Sequence, residues 1–256
     1  MANLFIILQG VYQNDMRITD VKFPYLNQFD GVRFSQAIAQ SLTNNYTLRS
    51  LDLSECHLGR AGSILVLNAL HTNTTLETLN IGKNIVSEHG EEFGDAVARL
   101  LRSNTTLETL NIEANIIGDD GGDLIAHELK TNTTLTSINL RYNNLGVQFS
   151  ETLVDVINTN TTLTELDLIE NNLEPSVQEE LVRAVKSNST LTQLRLIPFN
   201  HTVDPRQRMQ TPFLIEKIYE IDDILKDRKP ASTLSVKSAL VSRPRQTSSH
   251  RVNLLF

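Results

Sequence analysis

The stretch Leu135-Thr-Ser-Ile138-Asn-Leu140-Arg-Tyr-Asn143-Asn-Leu145-Gly146 decides the fold of this chain. In it the apolar Ile138 and Leu140 alternate with polar neighbours, which is the period of a half-buried β-strand. The next segment, 147–158, has apolar residues at helical spacing and therefore predicts a helix. A strand and a helix this short cannot bury their apolar faces alone, so neighbouring copies must supply the core.

The same register recurs along most of the chain. It begins at Leu48, Leu76, Leu107, Leu135, Leu163 and Leu191. The intervals are 28, 31, 28, 28 and 28 residues, so one unit carries an insertion of three, which we place around 87–94. Further helices are predicted at 61–71, 91–102, 121–130 and 176–186. A fixed period in the twenties is typical of a solenoid, whose function we expect to lie in an extended surface.

These registers resemble leucine-rich repeats, and the 28-residue unit with a full helix is similar to the ribonuclease-inhibitor-like subfamily. The resemblance covers roughly 41–199. It implies an α/β solenoid shaped as a right-handed horseshoe, with parallel strands on the concave face and helices on the convex face. It also implies a ladder whose side-chain amides satisfy buried loop backbone groups, formed by Asn84, Asn115, Asn143 and Asn171. Cys56 occupies this column in the first unit, whereas Phe199 replaces it in the last and suggests that the ladder stops there.

The chain departs from the repeat at both ends. We predict an N-terminal cap with a degenerate repeat over 1–47, containing strand-like segments at 3–10 and 17–23 and a helix at 30–42. Leucine-rich repeats follow over 48–199, then a C-terminal capping helix within 200–229 and a flexible basic tail over 230–256. The segment 211–228 has a Thr cap, Pro212 and a helical apolar period. It either covers the exposed core of the last repeat or docks a partner.

Composition narrows the setting. The hydrophobic content of 40% supports a continuous core, and no run approaches the ~20 apolar residues of a membrane span. The apolar start of the chain lacks a basic leader and favours a strand over a signal peptide. A single cysteine cannot staple a secreted fold, so we expect a reducing, cytoplasmic compartment. We also expect a monomer.

The tail has the opposite charge to the rest of the chain. Residues 228–256 hold six basic and no acidic residues. Because the whole chain has a net charge of −7, residues 1–227 carry a net charge of −13. Nucleic acid or an anionic membrane could attract such a tail, but the charges are dispersed, so a solvated tail is the default and nucleic-acid binding is not expected. The tail is rich in Ser and ends in the apolar stretch 252–256, a composition similar to that of bacterial type IV secretion signals. An effector delivered into a host cytosol is therefore an open alternative.

No catalytic, metal-binding or cofactor-binding pattern emerges. His127-Glu128 begins like a zinc-protease motif, but the second histidine is replaced by Thr131. The loop 118–122 favours a helix cap at Asp119 or Asp120 over a phosphate site. Seven Asn-x-Ser/Thr sequons occur, six of them at the same point of the repeat, where we expect Asn to close each helix in a left-handed conformation and not to carry a glycan. We predict no enzyme, no cofactor, no metal and no small-molecule substrate.

The repeat register predicts which strand residues face solvent on the concave face. The last three strands offer aromatic, arginine and aliphatic side chains, which are typical of protein interfaces. The predicted partner-binding residues are Asn139, Arg141, Tyr142, Asp167, Ile169 and Arg195. Alternatively, the chain's own C-terminal segment covers Ile169. We therefore predict a module that binds a protein of unknown identity; a regulator of a catalytic partner such as a GTPase, or a structural scaffold, is the alternative.

Overall fold

The computed structural model describes residues 2–23, 31–85, 90–196 and 212–228. Within these ranges strands and helices alternate. The strands are β1 (Asp20–Lys22), β2 (Ser50–Asp52), β3 (Thr78–Asn80), β4 (Thr109–Asn111), β5 (Ser137–Asn139), β6 (Glu165–Asp167) and β7 (Gln193–Arg195). The helices are α1 (Ala2–Tyr12), α2 (Gly31–Thr43), α3 (Gly59–Ala69), α4 (Glu91–Ser103), α5 (Gly118–Leu129), α6 (Val147–Thr159), α7 (Gln178–Ser187) and α8 (Pro212–Lys226), with a 3₁₀ turn at Pro175–Val177.

The seven described strands form one parallel sheet in the order of the chain, from β1 to β7. Each strand pairs with the equivalent residues of the next, as in Ile138 opposite Leu166. The insertion leaves this register intact, because Leu79 still pairs with Leu110 across the longer unit. The predicted α/β solenoid with parallel strands is confirmed.

The core is continuous along the sheet. The central residue of each strand is buried, and the flanking residues of β2 to β5 are only partly buried. Ile138 and Leu140 are both almost fully buried, as the alternation predicts. The cluster begins at Ile7 in α1 and reaches Leu225 in α8, so each repeat shares its core with its neighbours.

The predicted asparagine ladder is present where each strand ends. We call Cys56, Asn84, Asn115, Asn143 and Asn171 the strand-end ladder. Each asparagine donates from Nδ2 to a carbonyl of the preceding repeat, at 2.8 to 3.1 Å. Its Oδ1 accepts from the backbone N–H of the preceding ladder asparagine, as in Asn143 N to Asn171 Oδ1 at 3.0 Å. Cys56 is buried, and its Sγ lies 3.5 Å from the carbonyl oxygen of Ser54 in its own turn.

The sequon asparagines form a second ladder, which the sequence analysis missed. We call Asn45, Asn73, Asn104, Asn132, Asn160 and Asn188 the helix-end ladder. Asn104 Nδ2 donates to Leu70 O at 2.8 Å and Asn73 O at 3.1 Å, while its Oδ1 accepts from the N–H groups of Thr106 and Leu107. The backbone of Asn104 is extended, with φ −84° and ψ 130°, so the predicted left-handed conformation is wrong.

The N-terminal end differs from its prediction in one element. The segment predicted as a strand over 3–10 is wrong, because α1 is a helix whose Ile7 and Val11 face the core. The predicted strand over 17–23 contains β1, which extends the sheet by one parallel strand. The predicted helix over 30–42 corresponds to α2.

At the other end, α8 lies against α7 and β7. Its Ile221 and Leu225 are buried in the continuous core, and Arg228 donates from Nη1 to Leu191 O at 3.0 Å. Covering the last repeat is therefore what this helix does in the structure. Phe199 and the predicted tail over 230–256 lie outside the described residues. None of the described helices is long and apolar enough to cross a membrane.

Candidate protein-binding surface

The first and third residues of each strand lie on the side of the sheet opposite the helices, which we call the open sheet face. The third positions are in register from strand to strand. This central column contains Lys22, Asp52, Asn80, Asn111, Asn139, Asp167 and Arg195. Asn and Asp in the column share one local geometry: Oδ1 accepts from the N–H two residues later, as in Asn139 Oδ1 from Arg141 N at 3.0 Å. This bond fixes each side chain beside the turn that follows its strand.

Tyr142 is the most prominent aromatic side chain of the predicted site. It is 46% exposed, and the Arg141 guanidinium carbon lies 5.6 Å from the centre of its ring. The backbone at Tyr142 is left-handed, with φ 53°, and its N–H donates to Ile169 O at 3.1 Å. The next repeat therefore holds the ring in an outward position at the edge of the open sheet face.

Ile169 does not face solvent as the register predicted. Only 5% of it is exposed, so the predicted exposure is wrong. Its strand has already ended at Asp167, and its N–H donates to Asp167 Oδ1 at 3.2 Å. Through its carbonyl it positions Tyr142, while its side chain lies beneath the surface.

Asp167 and Arg195 form an ion pair at the C-terminal end of the central column. Arg195 Nη1 lies 3.1 Å from Asp167 Oδ2, and Asp167 is 9% exposed. The Arg195 side chain keeps 43% of its surface exposed. The buried Asp167 carboxylate thus holds the Arg195 guanidinium in position, and the guanidinium is the group that a partner could contact.

Lys22 and Asp52 form the equivalent pair at the N-terminal end, at 2.6 Å. Burial raises the pKa of the Asp52 carboxyl, but the bonds donated by Lys22 and by Ser54 outweigh burial and leave that pKa below its usual value. A column with an ion pair at each end and three amides between them is close to neutral along its middle.

Sequence reasoning missed Lys22 because β1 lies outside the clear leucine registers. The repeat spacing could have identified it, because Lys22 precedes Asp52 by 30 residues and Val21 precedes Leu51 by the same number. It also missed the left-handed rim residue Lys83, whose pKa is raised by its bond to Glu55 at 3.0 Å.

Cys56 is a poor nucleophile in this structure. Burial raises the pKa of its thiol to about 12, so almost no thiolate exists at neutral pH. The described residues contain no group of three or more His, Cys, Asp or Glu side chains arranged to hold a metal ion.

Comparisons with known proteins place the repeats. The Leucine Rich repeat family model matches residues 44–63, 103–126, 131–147 and 159–176. The human Centrosomal protein of 78 kDa is 47% identical over 53 residues, and the mouse protein is 41% identical over 63. These matches cover 21% and 25% of this chain, and the chain spans only 8% of the length of either relative.

Two solved structures show a distant likeness. The Legionella pneumophila leucine-rich repeat-containing protein LegL7 has a TM-score of 0.46 at 22% identity, with 74% of this chain and 60% of that chain covered. Leiomodin-1 Actin-Binding Site 2 has a TM-score of 0.39 at 17% identity, with 92% and 96% covered.

Strand, turn and helix therefore recur here as an α/β solenoid built on one parallel sheet. The matched family segments include the strand-end asparagines Asn115, Asn143 and Asn171. The fold is that of a leucine-rich-repeat solenoid, and the matched segments are leucine-rich repeats.

Proposed function

We propose that the protein binds another protein through its open sheet face, at a patch formed by Asn139, Arg141, Tyr142, Asp167 and Arg195. Leucine-rich repeat proteins are generally protein-binding modules, because their stacked units present an extended surface. The observation that carries the proposal is Tyr142, an aromatic side chain held 46% exposed beside the Arg141 guanidinium. Aromatic and arginine side chains are enriched among the residues that dominate binding energy.

The patch has two layers in this proposal. Tyr142, Arg141 and Arg195 contact the partner. Asp167 and Ile169 hold them in place, through the ion pair to Arg195 and the carbonyl bond to Tyr142. Preorganised side chains lose less conformational entropy on binding, which favours affinity.

The experiment uses the full chain as bait in a native lysate, with mass spectrometry of the captured proteins. Wild type is compared with Tyr142→Ala plus Arg195→Glu, and with Ser50→Ala plus Thr78→Ala on the distant strands β2 and β3. Loss of one hot spot costs about 2 kcal/mol, or roughly thirtyfold in affinity, so the first pair should lose the partner and the second should keep it.

Two further variants sharpen the result. Tyr142→Asn tests the ring with a residue that tolerates the left-handed backbone, so a loss of binding there reports on the ring and not on strain. Glu151→Lys reverses a charge on α6, on the other side of the solenoid. If Glu151→Lys abolishes capture while the Tyr142 and Arg195 variants bind normally, the open sheet face is the wrong surface.

A captured GTPase or other enzyme would indicate regulation of a catalytic partner, and captured structural proteins would indicate a scaffold.

A further inference from the structure

A partly open cavity of about 80 Å³ lies where the strand-end ladder stops. Its lining includes Asn171, Leu173, Gln178, Leu181, Leu196 and Ile218. This volume holds two or three water molecules at roughly 30 Å³ each, or one small polar group such as the end of an amide side chain.

Two backbone donors at this cavity lack the partner that the ladder supplies elsewhere. In the preceding repeat, Asn171 Oδ1 accepts from Asn143 N at 3.0 Å and from Leu145 N at 3.1 Å. The equivalent donors one repeat later are the N–H groups of Asn171 and Leu173. Neither has an acceptor among the described residues, and position 199, where the next ladder asparagine belongs, is Phe.

An acceptor is unsatisfied at the same place. Gln178 lines the cavity and is 6% exposed, yet no group among the described residues bonds to its Oε1. A buried polar atom left without a hydrogen-bond partner destabilises the protein, so a ligand that satisfies it gains affinity. The other polar side chains here are engaged: Ser150 Oγ accepts from Glu174 N, and Asn171 Nδ2 donates to Leu140 O and Leu168 O.

We propose that this cavity binds a primary carboxamide, the side chain of an Asn or Gln on the protein partner. The carbonyl oxygen of such a group accepts from the N–H groups of Asn171 and Leu173, as a ladder asparagine does, and its NH₂ donates to Gln178 Oε1. Because a carboxamide is both donor and acceptor, it also satisfies Gln178 if that amide is turned over. A carboxylate offers no donor, and an alkyl group offers neither.

This inference rests on the proposed function, since it names a chemical feature of the partner. The cavity belongs to the same repeats as the C-terminal part of the patch, since Leu196 follows Arg195 directly and Asn171 is two residues beyond Ile169.

The test is an amide-proton NMR titration of the full chain with the peptide Gly-Gln-Gly, with Gly-Glu-Gly as the matched control. The signals to follow are the backbone N–H of Asn171 and Leu173 and the side-chain NH₂ of Gln178. We expect saturable shifts with Gly-Gln-Gly and with acetamide, and none with Gly-Glu-Gly or acetate. Gln178→Met, which keeps the side-chain volume, should weaken binding roughly threefold to tenfold.

A second variant, Leu173→Phe, fills the cavity while the Gln178 residue itself is unchanged, and should abolish the shifts. Equal shifts with the Gln and Glu peptides, or no saturation, would overturn the proposal. The chain has its own amide at Asn200, directly after Phe199. Shifts that appear only when Asn200 is replaced by Ala would also overturn the proposal, because the occupant would then be that amide and not a partner's. If the peptide titration fails but the Tyr142 and Arg195 substitutions still abolish capture of the partner, the carboxamide site is wrong and the proposed function stands.

Discussion

At the residue scale, asparagine determines how these repeats stack. The helix-end ladder satisfies carbonyls at the end of the preceding helix, as Asn160 does for Leu129 O at 2.7 Å and Asn132 O at 3.1 Å. Its Oδ1 then accepts two N–H groups as the chain enters the strand, from Thr162 and Leu163. A glycan would be attached at Nδ2, the atom that makes the carbonyl bonds, so a glycosylated form would lose these contacts.

Asn104 offers the sharpest test of this ladder. Asn104→Ala should destabilise the protein by about 1 to 3 kcal/mol, because two carbonyls and two N–H groups lose a buried partner. Asn104→Asp should cost more, since a carboxylate oxygen would face the carbonyls of Leu70 and Asn73. Urea unfolding measures both, with Asn68→Ala on the exposed face of α3 as the control. Unchanged midpoints for both Asn104 variants would contradict the ladder's role.

Asp52 provides a prediction in pH. Its pKa is lowered in the folded protein, so the carboxylate stabilises the fold above the unfolded pKa of about 3.9, and this contribution is lost as the pH falls through the folded pKa. Lys22→Met removes the ion pair and should raise the pKa of Asp52, which carboxyl-detected NMR measures directly. A pKa that is the same in the variant would show that Ser54 alone holds the carboxylate.

At the element scale, each helix depends on its neighbour. Gly94 in α4 and Gly121 in α5 allow these helices to approach closely, because a Cβ at Gly94 would lie 2.5 Å from the Gly121 Cα. Asp119 was predicted to cap at the start of its own helix; instead it accepts from Gly146 N at 2.8 Å and from Gln148 N and Phe149 N at 3.0 Å, at the start of α6. One repeat thus caps the helix of the next.

Asp119→Ala should therefore destabilise the junction between α5 and α6, by about 0.5 to 2 kcal/mol, the usual cost of losing a helix cap. Hydrogen exchange should show faster opening at the first turn of α6, while α3 is unaffected. Asp120→Ala is the matched control, since Asp120 is the next residue in the chain and its carboxylate is exposed. Equal effects of the two substitutions would mean that a general charge effect, and not the cap, is responsible.

At the scale of the whole molecule, the core runs without a break and must be covered at both ends. At the N-terminal end, Ile7 and Val11 of α1 join the core beside α2, and at the other end Ile221 and Leu225 of α8 cover the last repeat. Solenoid stability is approximately a sum of repeat and interface contributions, so the end elements affect the fold beyond their own length.

Leu225→Ala should lower stability by about 2 to 5 kcal/mol through lost burial and a cavity beneath α8. Deletion of 231–256 should leave the melting temperature nearly unchanged, because the sequence of that segment has no periodic apolar face. Differential scanning calorimetry measures both. A large loss of stability on deletion would show that the tail contributes to the core.

The sequence by itself determined the repeat, the parallel strands, the helices and the strand-end ladder, because leucine periodicity and the recurring Asn are local and regular. Tertiary structure decided the rest. The apolar period of α1 is too uniform to distinguish helix from strand, and only packing on α2 resolves it. The second role of the sequon asparagines and the cap that Asp119 provides for α6 depend on contacts about 28 residues away, which stacking creates and local pattern cannot reveal. The burial of Ile169 is likewise seen only in the folded chain.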